Sequence, residues 1–402
     1  MIKSLVIENF KVIKHLEIRF TPFAVLIGDN ACGKSTVLQA LDFIRALAVR
    51  DIDEYLGERG WLFDDLESQF ADSDTQINFI VELTLNINGK QQDISWSIKT
   101  GYKDDNFIIE EKIVNLSKNE HVLNLASDIP LAAKNMKYLF LKSSFLKLID
   151  ENNPYAKYPE ELYAVKKFFA QSSSYELLSP DRMREKGSRG EVKDIGMGGE
   201  MLAAYINKMS DIQRSKLDKM LSELIGYSAK TTTEARRPGW VDLFVNENFT
   251  QIQTKIKATH ISDGLLRLLG LISSSLPKEE NSQPKIFDAL SDVGFILLDE
   301  IEDGISPYLV EKVIDLMRAV VADYNKQIII TTHSPVMLNH FEQDEIIFMW
   351  RDNAGQIHAK PMFATAEMVD TLDFLGPGEV WVNYTKESIL EKLSSAQEKK
   401  HD

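Results

Sequence analysis

Two stretches at the start of the chain alternate apolar and polar residues: IKSLVIENF from Ile2 and KHLEIRF from Lys14. A period of two over that length predicts paired strands with one buried face. FAVLIG, from Phe23, is apolar throughout and predicts a strand covered on both sides. From Ser35 to about Val49 the period changes, with Val37, Leu38, Leu41, Ile44 and Leu47 at the spacing of an amphipathic helix.

Further along, QINFIVELTLNING, QDISWSIKT and NFIIEEKIVNL read as a strand meander, with turns expected at Asn88-Gly89 and around Gly101. Residues from about 130 to 170 and from about 199 to 225 carry helical spacing. Between them SPDRMREKGSRGEVK is polar and locally basic. VDLFVNEN and TQIQTKIKA return to strand patterning, EIIFMWRDNAGQIHAKPM reads as a hairpin, and SSAQEKKHD as a frayed tail. No internal repeat and no sustained heptads occur, which argues against long coiled-coil arms.

Composition narrows the picture little. With 402 residues, 44% hydrophobic and 27% charged, the chain has the makeup of a globular protein of roughly two or three domains. No apolar run reaches the roughly 18 residues of a membrane span, and the N-terminus is punctuated by charges, so a cytoplasmic location is expected. The single cysteine, Cys32, excludes an internal disulfide and a four-cysteine zinc site. A formal charge of −15 argues against a generally basic nucleic-acid sleeve. DNA remains possible only through local patches at Lys166-Lys167, Arg182 to Lys193 or Arg236-Arg237.

Candidate chemistry lies where strands end. Gly28, Asp29, Asn30, Ala31, Cys32, Gly33, Lys34, Ser35 and Thr36 form a G-x-x-x-x-G-K-[ST] loop between a strand and a helix. Such a loop turns its N–H groups toward phosphate, Lys34 neutralises the outer phosphates, and the Ser35 hydroxyl is offered to Mg²⁺. In GFILLDEIEDGISP, the strand Phe295 to Leu298 delivers Asp299 to the metal side and Glu300 as candidate base toward the attacking water. In QIIITTHSP, His333 follows a second short buried strand, where it could polarise the γ-phosphate. In HISDGLLRLLGLI, Ser262 caps a helix whose first turn, with Asp263 and Gly264, offers free N–H groups to an anion. Alone, the last three would equally suit an acidic turn, a structural histidine and a capped core helix.

Their order resembles ATP-binding-cassette ATPases of the RecF/SMC/OLD-like group, often catalogued as AAA-type ATPases with an inserted lid. The resemblance covers both ends of the chain well and residues 60 to 240 loosely. It implies an α/β P-loop fold with an N-terminal antiparallel β subdomain and an inserted, mostly helical lobe. The corresponding segments are 1–125 and 236–402 for the ATPase head and 126–235 for the lobe. It also implies ATP and Mg²⁺ as cofactors, catalytic roles for Lys34, Glu300 and His333, and metal roles for Ser35 and Asp299. ATP held by one protomer would be completed by Ser262 and Gly264 of another, with Asp303 to Ser306 as the communicating loop, in a homodimer or higher oligomer.

Asp263 and Leu265 depart from the transporter signature and favour the soluble branch. The family's Q-loop glutamine has only weak candidates in Gln69 and Gln76. Cys32 within the loop leads to the expectation that thiol reagents inhibit. Lys34 and Asp299 are separated by 265 positions, room for an insertion, and the 69 residues after His333 are too few for a fused nuclease. The expected function is therefore an ATPase sensor or motor subunit with a separate effector partner, preferably in bacterial phage defence. The alternatives are a RecF-like DNA-repair clamp and a non-hydrolytic ATP-gated scaffold.

Overall fold

The computed structural model describes residues 1–70, 76–103, 106–125, 143–150, 158–175, 178–188, 192, 194–236, 239–249, 252–276 and 294–398. Strands β1 (Ile2–Phe10) and β2 (Ile13–Arg19) form the expected antiparallel pair, and β3 (Phe23–Gly28) leaves for a different sheet. β4 (Ile77–Ile87), β5 (Lys90–Lys103), β6 (Asn106–Asn115) and β7 (Glu120–Leu125) continue the antiparallel layer in the order β2-β1-β4-β5-β6-β7. Every second residue of β4 is fully buried, the signature of a sheet with one covered face. The Asn88-Gly89 turn joins β4 to β5 as expected, with both residues at positive φ. The turn expected around Gly101 is displaced: β5 runs on to Lys103, and Gly101 pairs with Ile108. Gln76 packs over Gly101 in that sheet, so the missing side chain makes room for a neighbour instead of turning the chain.

The next strands are β8 (Ser173–Tyr175), β9 (Gly187–Ser188), β10 (Ser228–Arg236), β11 (Trp240–Asn248) and β12 (Gln253–Lys257). The last are β13 (Gly294–Leu298), β14 (Lys326–Thr331), β15 (Ile346–Arg351) and β16 (Ile357–Pro361). The central sheet has the order β16-β15-β3-β14-β13-β8, parallel except for β16, which closes the expected hairpin with β15. A smaller antiparallel sheet has the order β10-β11-β12, with β9 also paired to β11.

Residue alternation explains why β3, β13 and β14 are apolar throughout. Ala24, Leu26, Phe295, Leu297 and Ile329 face one core, while Phe23, Val25, Ile27, Ile296, Leu298, Ile328 and Ile330 face a second. The helix after β3, Lys34–Val49, fills the first core between the central and antiparallel sheets. Its Phe43 ring lies 5.9 Å from both Phe10 and Phe79 of the antiparallel layer. Gln327 of β14 joins the two layers directly. It accepts from Ile2 N at 2.7 Å and donates to Ile2 O at 2.9 Å and Thr21 O at 3.0 Å.

The described residues of 126–235 are shared between the two cores. The helix Glu160–Ala170 packs on the Lys34–Val49 helix, with Phe168 and Phe169 against Phe295, and β8 pairs with β13. Phe169 also meets Trp96 of the antiparallel layer, at 5.1 Å, so this helix lies between the two sheets. β10 pairs along its length with β11, across the expected boundary at 235/236. Helices Leu202–Lys208 and Asp211–Ile225 pack with that small sheet and with the helix Asp263–Ser275. The rest of the expected helical run, 126–142 and 151–157, lies outside the described residues.

A buried charge cluster braces the Lys34–Val49 helix. Asp42, without solvent exposure, accepts from Arg45 Nε at 2.8 Å, Arg59 Nη2 at 2.5 Å and Tyr55 Oη at 3.1 Å. Burial alone would raise the Asp42 pKa, but the two guanidinium groups outweigh it and hold the carboxyl below its ordinary value. A depressed carboxylate stabilises the fold above its unfolded pKa, and that contribution fades as pH falls through the folded one. Asp42→Asn is expected to lose about 3–5 kcal/mol at pH 7 by urea titration, because it strands buried guanidinium charge. The deficit should narrow below about pH 4, where unfolded Asp is itself protonated.

Glu111 shows the opposite sign. Its carboxyl is buried in β6, accepts from Phe145 N at 3.0 Å, and is pushed by burial from 4.5 up to about 7. Stability from this group is full below pH 4.5 and is lost as pH rises through 7. Glu111→Gln keeps the acceptor without the charge. Its melting temperature is expected to exceed that of the parent at pH 8, with the gain vanishing at pH 5.

Candidate functional site

Because β3, β14 and β13 are adjacent and parallel, their C-terminal ends lie side by side on one sheet edge. Open α/β sheets bind ligands at such an edge. The loop 28–33 leaves from β3, Asp299 and Glu300 from β13, and Thr331 to His333 from β14.

Gly28 is the entrance to the loop. A Cβ there would lie 2.0 Å from the Met349 carbonyl oxygen of neighbouring β15, so no other residue fits without moving that strand. Gly33 is the N-cap of the Lys34–Val49 helix, which has no side-chain cap. An uncapped helix N-terminus at a ligand-binding edge is suited to an anion. Lys34 is only 6% exposed, and its ammonium donates to Gly28 O at 2.9 Å and Asp29 O at 3.0 Å. The lysine therefore spans the mouth of its own loop.

Ser35 Oγ lies 3.2 Å from Asp299 Oδ1, and Thr331 Oγ1 donates to that same carboxylate oxygen. This hydroxyl–carboxylate pair is a hard-oxygen set of the kind that shares Mg²⁺ with phosphate and water. The uncapped terminus, the inward-facing lysine and the paired oxygens thus fit a Mg²⁺-bound nucleotide phosphate. Glu300 N–H donates to Thr331 Oγ1 at 2.9 Å, so one hydroxyl organises both acidic residues. Glu300 has φ 46, a left-handed conformation that costs a non-glycine residue of order 1 kcal/mol or more. Its half-exposed carboxylate lies 3.8 Å from His333 Nε2. His333 is held from behind, its N–H donating to Glu302 Oε1 at 2.6 Å.

Sequence reasoning missed Thr331, Glu302 and Met349. Thr331 had a readable signal, a hydroxyl at the end of an apolar strand one residue ahead of Thr332-His333. Met349 had none, since it acts through its backbone carbonyl. Gln76 sits in the antiparallel layer against Gly101, and its carbonyl accepts from Asn9 at 3.1 Å.

Cys32 requires a correction. Its thiol is 1% exposed, and burial pushes its pKa up despite nearby Lys34. A buried, protonated thiol reacts slowly, so the ready inhibition by thiol reagents expected from its place in the loop does not follow.

Ser262, Asp263 and Gly264 start the helix Asp263–Ser275 on the second core. Ser262 Oγ accepts from Leu265 N at 3.4 Å, the expected cap. A Cβ on Gly264 would meet Gly304 O at 2.3 Å, so this first turn packs directly on the turn after Glu300. Of the basic candidates for DNA contact, Arg182, Lys186 and Arg236 are exposed, while two make internal contacts. Lys166 donates to the carbonyls of Lys147 and Ile149, and Arg236 pairs with buried Asp242 at 2.6 Å. Arg237 and several residues of the 182–193 stretch lie outside the described residues. Among the described residues, no helix is long and apolar enough to cross a membrane.

Three solved structures match at low identity. An SmcHead bound to the C-winged helix domain of ScpA is 15% identical, covering 89% of this chain and 96% of its own, with a TM-score of 0.49. The SMC head domain from Thermotoga maritima is 13% identical over 90% and 98%, with a TM-score of 0.45. An Smc head domain with an extended coiled coil, bound to the C-terminal domain of ScpA derived from Pyrococcus furiosus, is 14% identical over 92% and 99%, with a TM-score of 0.48. A family model described as "AAA domain, putative AbiEii toxin, Type IV TA system" matches residues 23–339, which include the ends of β3, β13 and β14. The chain belongs to this AAA-type ATPase family.

Proposed function

We propose that the chain is a Mg²⁺-dependent ATPase whose active site is completed by a second copy, and that it controls a separate effector. The observation that carries this reading is the convergence of Lys34, Ser35, Asp299, Glu300 and His333 on one edge of three adjacent parallel strands. Lys34 and the first-turn N–H groups would hold the phosphates, and Ser35 with Asp299 would hold Mg²⁺. When bound, Mg²⁺ neutralises charge on the phosphate oxygens. Glu300, held by Thr331, would orient water and take its proton, and His333 would steady the terminal phosphate.

The composite-site reading draws support from the resemblance of the Ser262-Asp263-Gly264 helix start to the signature helix of ATP-binding-cassette ATPases; within the chain that turn packs on the Gly304 turn. ATP would then act as an adhesive between two copies, and hydrolysis would loosen it. The effector role and the setting in phage defence draw support from the family description, which names a toxin of a Type IV TA system. A DNA clamp is the weaker reading, because the formal charge is −15 and Lys166 and Arg184 serve internal contacts.

Glu300→Gln is expected to lower phosphate release by roughly 10²–10⁴-fold and to accumulate an ATP-dependent dimer in light scattering. Lys34→Ala should abolish both turnover and dimer. Full turnover in either variant would refute the assignment, and an unchanged Glu300→Gln function would favour the non-hydrolytic scaffold.

A further inference from the structure

The sequence offers the 182–193 stretch as a basic surface, yet Arg184 points toward the helix that begins at Asp263. It follows the short helix Pro180–Met183, and its side chain is only 23% exposed. Nη2 donates to the carbonyl of Ile261 at 3.0 Å and to the carboxylate of Asp263, while Nη1 reaches Asp181 at 3.1 Å. Ile261 precedes the N-cap, and Asp263 is the first residue of the helix. Met183, beside Arg184, packs against Gly270 of the same helix, so the contact is anchored by an apolar neighbour. On another side, Gly304 O leaves no room for a Cβ at Gly264.

This arrangement resolves an electrostatic difficulty. A helix N-terminus carries roughly +0.5 of a charge, and a first-turn carboxylate more than cancels it. Asp263 would therefore repel a polyphosphate approaching that turn. The guanidinium, which it shares with exposed Asp181, offsets that carboxylate. It also fixes the carbonyl immediately before the cap, so the direction of the first N–H groups is set together with their charge.

We propose that Arg184 is a positioning residue for the second half of the composite site: it neutralises Asp263 and holds Ile261 so that this helix N-terminus receives the triphosphate carried by another copy. The inference rests on the composite-site reading. It gives the 178–188 segment a direct hold on ATP-driven assembly, although that segment lies far in sequence from the phosphate loop.

The test compares Arg184→Ala, Arg184→Lys, Asp263→Asn and the Arg184→Ala/Asp263→Asn double variant, all in the Glu300→Gln background. Light scattering measures the ATP-dependent dimer, and a fluorescent ATP analogue measures binding to dilute monomer. Arg184→Ala should weaken the dimer roughly tenfold, while monomer binding changes by less than about twofold because the phosphate loop is untouched. Adding Asp263→Asn should restore the dimer to within about twofold, since it removes the exposed charge. Arg184→Lys should fall between, keeping charge without the fork.

A merely structural arginine would shift the melting temperature and be rescued there by Asp263→Asn, while leaving the dimer of every folded variant unchanged. The proposal is overturned if Arg184→Ala dimerises like its parent, or if Asp263→Asn fails to restore it. A parent that binds nucleotide but never dimerises overturns the composite-site reading and this inference with it. A dimerising parent indifferent to Arg184 overturns this inference alone.

Discussion

The burial of β3, β14 and β13 on both faces is the constraint from which the site follows. Residues such as Ile328, Ile329 and Ile330 must alternate between two cores, and the runs 23–27, 295–298 and 328–330 carry no polar side chain. Polar chemistry is therefore driven to the strand termini. Because the strands are parallel and adjacent, those termini share one edge, and Asp299, Thr331 and Gly28 meet there despite wide separation in sequence.

Rigidity at that edge comes from both layers below it. The Lys34–Val49 helix is packed between two sheets and braced at mid-length by the Asp42 cluster. Strain can then be held locally. Glu300 adopts a left-handed backbone because its N–H is tied to Thr331, whose hydroxyl is tied to Asp299. Displacing any one of the three releases the others, so Thr331 has a part in the site even though it carries no charge.

The hydrophobic pattern made the strand ends legible in the sequence, and the phosphate loop upstream set Asp-Glu and Thr-Thr-His apart from an acidic turn and a structural histidine. The cap at Ser262 and the hairpins at Asn88-Gly89 and β15–β16 were legible for similar local reasons. Layer membership was not. Glu160–Ala170 has the spacing of any amphipathic helix, and only the partners of Phe168 and Phe169 reveal that it covers the central sheet. Charge was misleading in the same way. A run of basic residues suggests a surface, but Arg184 and Arg236 have carboxylate partners brought near by the fold, across 79 and 6 positions.

The two helix N-termini assigned to ATP differ physically, and the difference bears on how an adhesive could be reversible. The first is uncapped and buried, with Lys34 turned across its mouth. The second already has its cap in Ser262, and Asp263 beside it is more than half exposed. In the proposed composite site, nucleotide leaving the first terminus must be replaced by water or by the loop's own groups in a confined space. At the second terminus water has ready access. In that proposal affinity would reside with the phosphate loop, and the opposing helix would contribute a contact that a change in phosphate charge can release. This asymmetry makes a reversible adhesive physically reasonable without requiring motion in either core.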